Sequence, residues 1–204
     1  MPCASCYLGI IGFVAEAGAD IMQLRAKDLS EDEVLSMSIG ILPGLMKHGV
    51  PLIINDHRHA AQKLLRYGLS TGGESGCVGL HIGQSDGNQL KARLLMVDQC
   101  ILDVTIHTIE QAIEAQDNGA DYVGFGAIFP TATKTDVNIR TLDLAREIEA
   151  RIDIPVYLIG GINSLNLPGL VEQGFTRICI ASAISKAPHP GQETKSILEI
   201  LGAK

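Results

Sequence analysis

Seven short apolar runs, rich in Val and Ile, recur along this chain, and each ends in a polar or glycine-bearing phrase. They are IMQL (21–24), PLIIN (51–55), CVGLHI (77–82), CILDVTI (100–106), DYVGFG (121–126), PVYLIG (155–160) and RICIA (177–181). Short runs of this kind, read as lacking polar alternation, predict strands of a parallel sheet covered on both faces. The stretches between them carry apolar residues at helical spacing, notably 30–48, 107–120 and 141–152. Ser30 stands as a helix cap ahead of three acidic residues in the first turn. Gly18, Gly119 and Gly174 fall where a helix must stop before the next strand, so each is expected in the left-handed conformation.

Repeated strand-helix units close either as a barrel or as an open doubly wound sheet. No Gly-x-Gly-x-x-Gly follows the first run, so the dinucleotide-binding sheet lacks its signature. Polar phrases after every strand favour the barrel, whose chemistry gathers at the C-terminal ends of the strands. The expected fold is therefore α/β, a TIM (β/α)8 barrel, with residues 1–204 as a single domain. Its first strand is expected to be missing or irregular. Leu8–Ala17 reads as the helix before IMQL, which leaves MPCASCY too short for a strand and loop. Taking CYLGII as the strand leaves only residues 12–20 for a crossover, fewer than the dozen or so usually needed. Residues 1–7 are thus expected to be irregular, with the barrel open or patched there.

Composition narrows the function. Lys+Arg is 16 against Asp+Glu 23, a net charge of -7, with 4% aromatics and no Trp. That excludes the basic footprint and stacking platforms of a nucleic-acid binder. Five scattered Cys argue for a reducing compartment, and Cys3-x-x-Cys6 alone is a weak metal or redox signal. No apolar run reaches the ~18–20 residues that span a bilayer, and the N-terminus lacks the basic start of a secretory signal. A cytoplasmic protein without membrane or nucleic-acid partners is expected; a homo-oligomer is compatible with the sequence.

In a barrel the strand-end phrases meet on one face. They bring together Gln23, Arg25 and Lys27; Asn55 and Asp56; Gln84 and Asp86; Thr105 and His107; Thr131, Thr133, Lys134 and Asp136; Gly160-Gly161; and Ala181-Ser182. Cations with hydroxyls form a diphosphate cradle. Two carboxylates beside it suit Mg²⁺, which takes one or two carboxylates and leaves the rest to phosphate and water. The Gly-Gly and Ala-Ser-Ala turns stand where barrels bind a second phosphate through backbone N–H groups. Each residue also has an ordinary reading as a cap, a turn or a solvated charge, and His107 reads as structural. Independent caps do not account for such a phrase after every strand.

QLRAKD, LIINDHR, GLHIGQSD, DYVGFGAIFPTATKTD, IGGIN and ASAI, in this order, resemble the thiamine-phosphate synthase family from about residue 17 to 184. The resemblance implies a TIM barrel that joins hydroxymethylpyrimidine diphosphate to a thiazole phosphate with Mg²⁺, releasing pyrophosphate first and capturing the resulting cation with the thiazole nitrogen. It implies Gln23, Leu24, Arg25, Ala26, Lys27 and Asn55 for the pyrimidine diphosphate, and Asp56 and Asp86 for Mg²⁺. Thr105 stands where the family usually has Ser against the diphosphate; Lys134, Arg25 and Thr105 are the implied catalytic set. Thr131, Ala132, Thr133, Gly161, Ala181 and Ser182 match the thiazole-phosphate segments. Two further departures stand out. Asp103 occupies a position usually Gly, close to Thr105, where it could bring negative charge towards the diphosphate. The stretch 66–76, RYGLSTGGESG, resembles a loop insertion. Competing readings are a thiazole tautomerase-like isomerase and a non-catalytic phosphate-ligand-binding paralogue.

Overall fold

The structure, a computed structural model, describes residues 4–74, 76–84, 92–93, 100–131 and 138–202. Every predicted strand is present. The chain runs α1 (Ala4–Glu16), β1 (Met22–Leu24), α2 (Glu31–Met46), β2 (Leu52–Asn55), α3 (Arg58–Ser70), β3 (Val78–Ile82) and β4 (Ile101–Ile106). It continues α4 (Ile109–Asp117), β5 (Tyr122–Gly126), α5 (Leu142–Glu149), β6 (Val156–Ile159), α6 (Leu167–Val171), β7 (Ile178–Cys179), α7 (Ser182–Ser185) and α8 (Pro190–Leu201).

The seven strands form one parallel sheet in sequential order, β1 to β7, the arrangement of a TIM-like barrel. Among the described residues β1 and β7 do not pair with each other, so the sheet is open between them. At that end α1 packs against both α2 and α8 and links the helices beside the two edges. The expectation of irregular residues 1–7 is corrected from Ala4 onward, because the backbone there is already helical. The following stretch supplies the reason: Val14 and Ala15 on α1 are buried, and Ile11 is half-buried against the core, which is helical rather than strand spacing.

The strands also correct the reading that they lack alternation. Leu52, Ile54, Val78, Leu80, Ile82, Leu102, Val104, Ile106, Val123, Phe125, Val156 and Leu158 belong to the apolar core that the helices cover. The positions between them carry Asn55, Gly79, His81, Asp103, Thr105, Tyr122, Gly124, Gly126 and Tyr157. Successive side chains point to opposite faces of a strand, so the outer face is apolar while the barrel interior combines these small, polar and aromatic positions with Ile53, Ile101 and Ile159.

Local chemistry explains the boundaries. Ser30 caps α2 in a full capping box with Glu33. Thr108 and Thr141 cap α4 and α5 by accepting from Gln111 N and Leu144 N. Gly18, Gly119 and Gly174 have φ of 107°, 82° and 89°, as expected of helix stops. The stretch 66–76 is not a loop insertion throughout: Arg66–Ser70 is the last part of α3, with Leu64, Leu65 and Gly68 buried. Gly68 permits that burial, since a Cβ there would stand 3.1 Å from Leu42 and from Cys77 Sγ.

Candidate active site

Parallel strands deliver their C-terminal ends to one rim, and the predicted residues are spread along it. On β1, Gln23 and Leu24 are followed by Arg25, Ala26 and Lys27. Leu24 is buried in the outer core and Ala26 packs against it, so these two turn their side chains away from the interior. Gln23, Arg25 and Lys27 are exposed. Lys27 Nζ lies 3.3 Å from Asp56 Oδ2, which joins the loops after β1 and β2. Both partners keep contact with solvent, Lys27 at 50% and Asp56 at 23%. Asp56 has a φ of 68°, and its N–H donates to the His81 carbonyl at 2.9 Å. This conformation, uncommon outside glycine, swings its carboxylate off the strand direction. Beside it Asn55 is buried, and its Nδ2 meets no hydrogen-bond partner among the described residues. A buried amide donor left open is a group prepared for an acceptor.

Farther round the rim, Gln84 Nε2 donates to the Thr105 carbonyl at 2.6 Å, which ties the end of β3 to β4. Thr131 is half-buried after β5. Asp86, Ala132, Thr133 and Lys134 lie outside the described residues, as does Asp136. Gly161 has a φ of 67°, and Asn163 and Asn166 both donate to its carbonyl, at 3.2 and 3.0 Å. A side chain at Gly161 would collide with the Pro130 carbonyl oxygen and come 2.8 Å from Phe129 Cβ. The loop after β6 therefore packs on the loop after β5, and Gly161 is required by that contact whatever binds there. Ala181 and Ser182 begin α7. His107 lies between β4 and the Thr108 cap of α4, where its N–H donates to Gln111 Oε1 at 2.7 Å, in keeping with its structural reading.

Beneath the rim lies a network that the sequence reading did not single out. His81 Nδ1 is 2.5 Å from Asp103 Oδ2, and its Nε2 is 2.9 Å from Thr105 Oγ1. Gln23 Nε2 donates to the same Asp103 oxygen across the barrel at 3.4 Å. A carboxylate only accepts, so Nδ1 of His81 carries a proton. The charge of Asp103 is thus answered inside the barrel rather than aimed bare at the rim. Tyr122 and Tyr157 stand on the neighbouring strands β5 and β6 with ring centroids 5.0 Å apart and planes tilted by 59°. Burial, and then the Asp103 charge, push the Tyr122 phenol up and keep it a proton donor. Burial raises the Cys179 thiol to about 12, with Asp103 adding to it. The signal was in the sequence: VGLHI and ILDVTI place His81, Asp103 and Thr105 at every second position.

The arrangement offers cations, hydroxyls and a carboxylate at the mouth of a barrel with a polar floor. Among the described residues no group of three or more His, Cys, Asp or Glu gathers to hold a metal. Asp56 supplies one oxygen ligand of the kind that hard divalent cations take. No helix among the described residues is long and apolar enough to cross a membrane.

Comparison with known proteins agrees with this geometry. The profile of the thiamine monophosphate synthase family matches residues 3–184. A thiamine-phosphate synthase of Alkaliphilus oremlandii is 40% identical over 167 residues, which cover 82% of this chain and 75% of the relative. One from Methanobrevibacter smithii is 32% identical over 198 residues, covering 97% of this chain and 90% of the relative. Among solved structures, a thiamine phosphate pyrophosphorylase from Pyrococcus furiosus superposes with a TM-score of 0.80 at 24% identity, covering 96% of this chain and 89% of that one. A tryptophan synthase chain of Mycobacterium tuberculosis reaches a TM-score of 0.68 at 14% identity, covering 97% of this chain and 87% of that one, which speaks for the barrel alone. With its profile match running almost from end to end, the chain belongs to the thiamine monophosphate synthase family.

Proposed function

We propose that the chain is a thiamine-phosphate synthase, a transferase. It joins 4-amino-2-methyl-5-hydroxymethylpyrimidine diphosphate to thiazole phosphate and releases pyrophosphate. The observation that supports this most is the Lys27–Asp56 pair at the ends of adjacent strands, on the rim above a polar barrel floor. A cation and a carboxylate held together but still solvated suit a polyanion that arrives with a divalent ion. Asn55 adds a buried, open donor beside them.

In the proposed reaction the bond between the pyrimidine methylene carbon and the diphosphate oxygen breaks first. Its electron pair leaves with the diphosphate, and the thiazole nitrogen lone pair then forms the new C–N bond. Negative charge grows on the leaving group, so Arg25, Lys27, Lys134 and the Thr105 hydroxyl are assigned to it. Gln23, Asn55 and the backbone at Leu24 and Ala26 hold the rest of the pyrimidine diphosphate. Thr131, Ala132, Thr133, Gly161, Ala181 and Ser182 hold the acceptor phosphate, for which backbone N–H groups suffice. Asp56 and Asp86 would hold Mg²⁺, whose charge would offset that of the diphosphate when bound. A strong general base is unnecessary, because the acceptor nitrogen attacks with a lone pair. A cytoplasmic setting is part of this proposal, and the small-molecule chemistry of the family supports it.

Calorimetry with thiamine phosphate, followed by a turnover assay with both substrates and Mg²⁺, tests this reading. Binding together with steady formation of thiamine phosphate is expected. Binding without turnover would instead mark a ligand-binding paralogue.

A further inference from the structure

The turn that carries Asp56 is strained and is held from outside. Asp56 has a φ of 68°, and the His57 N–H donates to the Asn55 carbonyl at 2.9 Å, so Asp56 is the middle residue of a three-residue γ-turn. With positive φ this turn is rare and strained. Such conformations persist only where the surroundings over-determine them. The sheet fixes one side, since the Asp56 N–H donates to the His81 carbonyl at 2.9 Å. The other side runs directly into α3, whose cap residue is His57. The His57 side chain makes no capping bond, so it leaves the first N–H groups of α3 to other partners.

Glu31 takes that role from a different helix. It is the first residue of α2, and its Oε2 accepts from the N–H of Ala60, the third residue of α3, at 2.6 Å. That N–H is one that a capping side chain normally satisfies. A carboxylate there also suits the positive end of the helix dipole. Glu31 Oε1 lies 3.9 Å from His57 Nδ1, and the His57 side chain is only 15% exposed. The segment between β1 and α2 thus grips the start of α3 at two points. Lys27 meets the Asp56 carboxylate itself, and Glu31 holds the backbone behind it.

We propose that Glu31 is a positioning residue: by capping α3 from α2 it fixes the strained turn, and with it the direction of the Asp56 carboxylate. This deepens the function proposed above and rests on the assignment of Asp56 to a divalent ion. Mg²⁺ demands near-ideal octahedral geometry, so a carboxylate free to turn is a poorer ligand. Without Glu31 the first turn of α3 frays, and Asp56 relaxes out of the left-handed region.

Mn²⁺ is the probe, because electron paramagnetic resonance follows its binding without turnover. Dissociation constants are measured for wild type, Asp56→Asn, Glu31→Ala, Glu31→Gln and Glu31→Asp, each checked as folded by circular dichroism. Glu31→Ala should weaken Mn²⁺ binding by about tenfold, the scale of losing a group that orients a ligand. Glu31→Gln gives up the charge but keeps an oxygen for the Ala60 N–H, and should stay within about threefold of wild type. Glu31→Asp keeps the charge but is one methylene shorter, and should lose most of what Glu31→Ala loses. Thiamine-phosphate affinity, measured by calorimetry, should be alike in wild type and the Glu31 variants. Wild-type Mn²⁺ affinity in Glu31→Ala would overturn the proposal. So would binding by Glu31→Gln no tighter than by Glu31→Asp, which would mark an effect of charge; this pair decides alone if Glu31→Ala does not fold. A fall in thiamine-phosphate affinity equal to that for Mn²⁺ would also overturn it, making Glu31 a general support of the fold. Equal Mn²⁺ binding by wild type and Asp56→Asn, or none by wild type, would instead remove Asp56 from the ion, and the role of Glu31 with it.

Discussion

Asp56 carries two properties that make it a clean probe at the scale of a single residue. It is the one non-glycine among the described residues with a left-handed φ, and it contacts Lys27. Asn tolerates the left-handed region about as well as Asp, so Asp56→Asn removes the charge without straining the turn. Turnover should fall by at least ~10²-fold and its Mg²⁺ response should weaken, while the thermal midpoint stays close to wild type. Retained activity with an unchanged Mg²⁺ response would remove Asp56 from the metal. Lys134→Ala should lower kcat by about 10²–10³-fold, the scale of one preorganised donor, and leave thiamine-phosphate affinity nearly unchanged, because that product carries no diphosphate. Loss of product affinity with the chemical rate kept would place Lys134 at the acceptor phosphate instead. Residues such as Asp56 and Thr105 were legible in the sequence because each ends a strand. The pairing of His81 with Asp103 was not, because it depends on the register between β3 and β4.

Caps and clamps decide stability at the scale of elements. At the start of α2, Glu33 Oε2 accepts from Ser30 N at 2.9 Å and from Ser30 Oγ at 2.7 Å. The Ser30 hydroxyl first, and its N–H second, hold the Glu33 carboxyl below its ordinary value. A lowered carboxyl contributes stability above its unfolded pKa and loses it as pH falls through the folded one. Ser30→Ala removes this cap and should lower the denaturant midpoint near neutral pH. The deficit should shrink as the pH drops below the ordinary carboxyl range; a deficit independent of pH would exclude Glu33 from the cap. At the opposite end of the sheet, Arg93 donates to the carbonyls of Gly119 and Cys100, and its guanidinium meets Asp121, which also accepts from Leu102 N. Arg93 thus fastens the start of β4 to the turn before β5. A clamp at the base of a barrel serves stability, while the rim serves chemistry. Arg93→Ala should lower stability by about 2 kcal/mol and leave kcat/KM unaltered in the folded fraction. The boundaries of these elements were readable from Ser30 and from the helix-stopping glycines. The length of α3 was not, because Gly68 and Gly73 imitate a loop in a segment whose Leu64 and Leu65 are buried.

Across the whole molecule, the order β1 to β7 is the sequential one expected of apolar runs that alternate with helical stretches along most of the chain. The interior was less legible. A strand that is apolar outside and polar inside resembles a buried run whenever its inner positions are small, as with Gly124 and Gly126 in YVGFG. The polar floor and charged rim follow from that alternation, and an acidic chain of net charge -7 must hold a polyanion through near contacts at the rim. Distant charges are screened beyond about 8 Å at physiological salt. The direct test of the central claim is pyrophosphate release by the purified wild-type chain with Mg²⁺, the aminopyrimidine diphosphate and thiazole phosphate, with thiamine phosphate quantified in the same samples. One thiamine phosphate per pyrophosphate, with both products abolished when either substrate is omitted from multiple-turnover reactions, is the expected result. Pyrophosphate without thiamine phosphate, or neither product under conditions where the chain is folded, would contradict the account.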